Sequence, residues 1–169
     1  MELDQFAQIV EDMGIQHDYP GYEIRSLKMG LPEAVVKSSG KLFNAALKHE
    51  NALVRLAGLR WFQEKHGVAK QFSKTIAECL EDPDEWVRAE AALCFERIGK
   101  VEAKTAVRIA DLLNDDNPMV RKAAAKALGK LDCRDQAIID ALQKATEDKD
   151  HEVRWKAQKA LRQLGAYVA

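Results

Sequence analysis

The dipeptide Val-Arg stands at 54–55, 87–88, 120–121 and 153–154, each pair 33 residues after the last. Around it the same order of residue types returns: a leucine, an acidic or polar turn, Val-Arg, small residues, then an apolar residue and glycine. The pattern is fullest over Asp82 to Gly99, DPDEWVRAEAALCFERIG. A period of this length marks supersecondary units that cannot bury their apolar faces alone and do so by stacking. The chain is therefore predicted to be an all-α array of helical hairpins.

Each period divides into two helices joined by a short polar turn. First helices are expected over about 32–47, 68–80, 102–113 and 135–146, and second helices over about 52–66, 85–98, 118–131 and 151–164. Asn51, Asp84, Asn117 and Asp150 share one position three residues before each valine, where an Asx oxygen can accept from amides of the first helical turn. Pro118 follows Asn117 where a missing N–H costs nothing. Gly67, Gly99 and Gly165 are expected to end second helices.

The same alignment predicts the core. Phe43, Ile76, Ile109 and Leu142 recur on the first helices; Val54, Val87, Val120 and Val153, with Phe62, Phe95, Leu128 and Leu161, recur on one face of the second. Gly58, Ala91, Ala124 and Ala157 hold one position small, so that neighbouring backbones can approach. The apolar stripe Leu3, Phe6, Ile9, Val10 and Met13 suits a helix covering the first repeat. The predicted organisation is an N-terminal helical cap and irregular loop over 1–31, then four repeats over 32–169 (about 32–66, 67–99, 100–132 and 133–166) and a short tail. Pro20 and Gly21, between Tyr19 and Tyr22, predict a turn, read in preference as a lid over the first hairpin and in the alternative as a contact loop; the segment lies outside the residues described below.

Charge and composition narrow the function classes. A formal net charge of −1 supplies no field drawing the chain to phosphate backbones, which argues against nucleic acid. No stretch approaches the ~18 apolar residues of a membrane span, and the acidic start is unlike a signal peptide, so a cytoplasmic location is expected. Cys79, Cys94 and Cys133 are widely spaced with no C-x-x-C pair, the pattern of reduced, buried thiols. No metal or cofactor is expected.

LLNDDNPMVRKAAAKALGKL in the third repeat and CLEDPDEWVRAEAALCFERIG in the second resemble HEAT repeats of the phycobilisome-lyase type. The resemblance covers 32–164 and implies a right-handed α-solenoid of four HEAT-like, armadillo-like hairpins. It also implies a hydrogen-bonded ladder between repeats, with turn aspartates Asp82, Asp115 and Asp148 and arginines Arg88, Arg121 and Arg154. In the first repeat Arg55 is present but His49 replaces the aspartate, so the ladder is expected to weaken there.

Enzymatic readings find little support. The HEAT-like deoxyhypusine hydroxylases hold two irons with His-Glu pairs just after Val-Arg, where this chain has Leu56-Ala57, Ala89-Glu90, Lys122-Ala123 and Trp155-Lys156. His49-Glu50 and His151-Glu152 sit at helix starts instead, far apart along the array. Alkylpurine DNA glycosylases use Trp, Asp and Arg in a cleft of stacked helices, but Trp61, Trp86 and Trp155 occupy three unrelated repeat positions. The resemblance itself implies the alternative function, a phycobilin lyase subunit or phycobilisome-associated, chromophore-handling factor, with no residue assignable to bilin chemistry.

The preferred reading is a non-enzymatic scaffold or adaptor. In solenoids of this type second helices line the concave side. There Leu53, Trp86 and Met119 form a row of large residues outside the core pattern, beside Arg60, Glu90, Leu93, Arg97, Lys126, Lys130 and Lys159. Such a strip suits an acidic amphipathic helix or loop of a protein partner. The basic run Arg121, Lys122, Lys126, Lys130, Lys156, Lys159 and Arg162 is expected to be a solvated helix face. Trp155 is expected either to pack under Tyr167 and Val168 or to mark a self-association face.

Overall fold

The computed structural model describes residues 1–13, 39–131 and 133–166. Every regular element among them is helical: α1 Leu3–Asp12, α2 Gly40–Ala46, α3 Ala52–Glu64, α4 His66–Ala69, α5 Ser73–Glu78, α6 Glu85–Ile98, α7 Ala103–Asp111, α8 Pro118–Leu128, α9 Gln136–Ala145 and α10 His151–Leu164. No helix among the described residues is long and apolar enough to cross a membrane. Packing divides the chain into two compact units, Met1–Cys79 and Leu80–Ala169.

The second helices begin where their Asx residues dictate. Asn51 accepts from the Leu53 amide, Asp84 from Val87, Asn117 from Met119, and Asp150 from both Glu152 and Val153. Each bond satisfies an amide that a helix start leaves without an intrahelical acceptor. Two of the three expected glycine ends occur. Gly99 and Gly165 take φ of 81° and 70°, the left-handed side that an L residue rarely adopts. Gly67 does not end α3, which stops at Glu64; it lies inside the short helix α4.

The first helix of the second repeat is not continuous over 68–80. It is built from α4, a 3-10 turn at Lys70–Phe72, α5 and a further 3-10 turn at Cys79–Glu81. Phe72, which adopts φ −112° at the start of α5, accompanies the break. Its ring lies 5.4 Å from that of Phe62. The half-buried ring packs beside Phe62 at the break, a local adjustment that helical periodicity in sequence does not register.

In the first unit α1 packs on α2 and α3, with Phe6 and Val10 fully buried. Phe6 meets Phe43 edge to face at 5.3 Å, and Phe43 stacks on Trp61 at 4.3 Å. Trp61 is only 6% exposed. Gly58 leaves room for this packing: a Cβ there would lie 2.9 Å from Leu47 Cδ2 and 3.1 Å from the Phe43 carbonyl oxygen.

In the second unit α6, α8 and α10 lie side by side in one layer, while α7 and α9 neighbour each other in the other. The predicted core rows are buried in both units, from Phe43, Ile76, Ile109 and Leu142 to Val54, Val87, Val120 and Val153. Ala124 is fully enclosed, and a Cβ on Gly129 would come within 2.9 Å of Ala160 Cα, so α8 and α10 touch through small residues. Cys79 and Cys94 are buried and Cys133 is half-buried; none of the three forms a disulfide.

Candidate functional site

Arginine after valine does the same local work in every repeat. Its Nη1 donates to two turn carbonyls: Arg55 to His49 and Glu50, Arg88 to Asp82 and Pro83, Arg121 to Asp115 and Asp116, Arg154 to Asp148 and Lys149. Arg88 and Arg121 also reach across to the next turn. Arg88 Nε donates to Asp115 Oδ2 at 2.7 Å and Nη2 to Oδ1 at 3.1 Å, and Arg121 makes the same fork on Asp148 at 2.7 and 2.9 Å. Planar guanidinium geometry lets one side chain clamp its own turn and the neighbouring carboxylate together.

The aspartates carry a second duty, accepting from the amide two residues on: Asp82 from Asp84, Asp115 from Asn117 and Asp148 from Asp150. His49 keeps this turn in the first repeat, its Nδ1 accepting from the Asn51 amide at 3.1 Å. Burial pushes the Asp115 carboxyl up, but the Arg88 hydrogen bond and the Asn117 amide outweigh it, and the group rests below its ordinary range. The Arg121 hydrogen bond likewise holds Asp148 low. Arg88 and Arg121 are raised in turn by their aspartates. These side chains face each other and the backbone, an arrangement that holds repeats in register.

The predicted strip is only partly accessible. Leu53 and Arg60 belong to the first unit; Trp86, Glu90, Leu93, Arg97, Met119, Lys126, Lys130 and Lys159 belong to the second. Leu53, Trp86, Met119, Arg60 and Leu93 are half-buried, while Arg97, Lys126, Lys130 and Lys159 are exposed. Glu90, expected on the surface, is 4% exposed. Its place in the repeat is taken by Ala57 and Ala123, both buried, so position in the stack and not residue type decides its environment.

Sequence reasoning passed over the side chains that converge most closely. Lys126 and Lys130, from α8 and the residues just after it, and Lys156, Lys159 and Gln163 of α10 line a cleft of about 100 Å³, with Glu96 of α6 on its wall. Glu96 pairs with Lys126 at 2.9 Å, and Lys122 pairs with Glu152 nearby. Burial, then the charges of Lys126, Lys159 and Lys122, hold the Lys156 ammonium below the ordinary lysine range. The signal was present in the basic run, but charge spacing along one helix cannot show that two helices bring their lysines together.

A wider groove of about 760 Å³ lies along the turns, with Asp116, Asp140, Glu147, Lys144 and Lys149 on its walls. Its deepest carboxylates, Asp115 and Asp148, are already engaged by arginine. Among the described residues no three His, Cys, Asp or Glu side chains gather as metal ligands would.

This repeating geometry has counterparts. Residues 105–169 match the family model for HEAT repeats. This segment is thus similar to HEAT repeats. The rest of the chain joins it in solved structures that share the helical-repeat fold. An engineered protein superposes with a TM-score of 0.65 at 17% identity, covering 99% of this chain and 87% of that one. The complex of CpcE and CpcF of phycocyanin lyase from Nostoc sp. PCC7120 gives 0.67 at 18% identity, over 89% of this chain and 58% of that one. A designed armadillo repeat protein in complex with the peptide (KR)4 gives 0.58 at 14% identity, over 96% and 87%. This chain thus spans little more than half of the lyase chain and most of the two engineered ones. No curated protein matches the sequence significantly. The all-α repeat fold is common to these proteins, and fold alone assigns no activity.

Proposed function

We propose that this chain is a non-enzymatic adaptor that recognises a protein partner through the face of its second helices. The observation that carries this reading is the basic edge of α6, α8 and α10. Arg97, Lys126, Lys130 and Lys159 stay exposed at repeating positions while the core rows beneath them are buried. Half-buried Trp86 and Met119, on α6 and α8 of the same unit, supply apolar side chains, and Leu53 on α3 of the first unit is half-buried at the matching repeat position. Aromatic and long apolar side chains beside charges are the usual make-up of a recognition surface. That one protein of this fold is held in complex with a peptide supports the same use here.

Affinity capture with the tagged chain tests the reading, beside a Leu53→Ser, Trp86→Ser, Met119→Ser variant and an Arg97→Glu, Lys130→Glu variant. Both must keep the helical circular dichroism of the wild type. A protein held by the wild type and released by either folded variant is the expected result. A partner retained by both variants would move recognition elsewhere on the chain. Capture of a bilin-carrying protein alone would favour the chromophore-handling alternative.

A further inference from the structure

Resting on the reading that the second-helix face binds a partner, we propose that the cleft between α8 and α10 is a carboxylate-binding site. Its occupant is an acidic peptide segment whose Asp or Glu side chains pair with Lys126, Lys130, Lys156 and Lys159 while a neighbouring apolar side chain lies on Trp155. The cleft sets four ammonium groups against one carboxylate, Glu96, which is already paired with Lys126. An uncompensated cluster of like charge costs free energy in the unbound chain and gives an anion an immediate gain.

Helix-end electrostatics explain only part of the cluster. Lys126 lies in the last turn of α8 and Lys130 just beyond it, where the negative end of the helix dipole welcomes a cation. Lys156 and Lys159 lie in the body of α10, where the dipole offers nothing. Instead they flank Trp155, with Nζ atoms 4.5 and 5.3 Å from the centre of its ring. Trp155 is 51% exposed, the most exposed large apolar side chain among the described residues. The indole holds the two ammonium groups at the rim and leaves an apolar ledge beside them. The depressed Lys156 ammonium agrees with the crowding.

Chemistry and size favour carboxylate side chains over nucleic acid. A cleft of about 100 Å³ admits a side-chain carboxylate and has no room for a stacked base. The net charge of −1 gives no long-range pull on a polyanionic backbone.

Fluorescence polarisation with a labelled peptide of glutamates interrupted by leucines tests the site on the full chain. Saturable binding is expected, weakening at least about tenfold in Lys156→Glu, Lys159→Glu and falling as salt shortens the Debye length to about 8 Å. Lys156→Gln, Lys159→Gln provides a second variant without introduced repulsion, expected to lose affinity in the same direction. Trp155→Ala should weaken binding of this peptide by a larger factor than that of pure poly-glutamate. Absence of peptide binding by the wild type, or equal binding by folded wild type and both lysine variants, would overturn the proposal. So would tighter binding of labelled single-stranded RNA than of the peptide. A partner that the lysine variants still capture, but that the Leu53, Trp86 and Met119 variant releases, would sink the carboxylate site and leave the adaptor reading standing.

Discussion

Around Phe43 the first repeat is held by rings, whereas around Arg121 the third is held by a guanidinium fork. Phe6, Phe43, Trp61, Phe62 and Phe72 form a continuous chain of ring contacts between 4.3 and 5.4 Å. Nothing in that chain titrates. In the second unit the facing helices meet through alanine and glycine, too small to fix register by shape, and the Arg88–Asp115 and Arg121–Asp148 forks supply the directionality. The contrast teaches that one repeat template can be locked in place by large apolar shapes or by paired charges, and that the two locks answer differently to pH.

The largest expected effect falls on the aromatic side. Phe43→Ala, at a site with no exposure, should cost about 3–5 kcal/mol in urea denaturation because two ring partners lose their contact surface. A loss under about 1 kcal/mol would mean that the rings are not the lock of the first repeat. Arg121→Ala comes next, at about 3 kcal/mol: it strands a largely buried Asp148 and frees two turn carbonyls. An Arg121→Lys protein recovering most of the stability would show that charge alone suffices and that fork geometry is dispensable.

Acidification should separate the units. Asp115 and Asp148 titrate below their unfolded range, so the stability they confer is complete above roughly pH 5 and drains as pH falls through the folded values. Hydrogen exchange read by peptide should then rise in α8 to α10 earlier on acidification than in α1 to α3. Asp148→Asn should flatten that acid dependence, and equal loss in both units would break the comparison.

Smaller effects sharpen it further. Gly129→Ala should cost about 1–3 kcal/mol by pushing on Gln163 and Ala160, read as a lowered denaturation midpoint. His49→Ala should cost about 1 kcal/mol by leaving the Asn51 amide without its acceptor, and His49→Asp should restore most of it. Failure of aspartate to restore the turn would show that histidine serves the first repeat in some other way.

Much of this architecture was legible in residue order. Helix starts follow from Asx positions and the core from apolar spacing, because caps and periodicity act within a few residues of themselves. Gly67 misled for the same reason: a glycine near a helix end suits a cap, but the chain entered α4 before reaching it. The candidate site was less legible. The basic run is visible in residue order, yet that order puts Glu90 on a surface where the stack buries it and makes Lys156 a solvated side chain where two helices crowd it.

By itself, then, the sequence determined the all-α repeat, its period, its capped second helices and its apolar rows, since each depends on interactions between residues a turn or two apart. Tertiary structure decided the rest. It set Trp61 flat on Phe43, broke the helix after Ala69, aimed Arg88 and Arg121 at aspartates 27 residues further on, and gathered lysines from two helices around one cleft. Those outcomes depend on which faces of neighbouring helices meet and how closely, and small residues at the meeting points, such as Gly58, Ala124 and Gly129, set that distance.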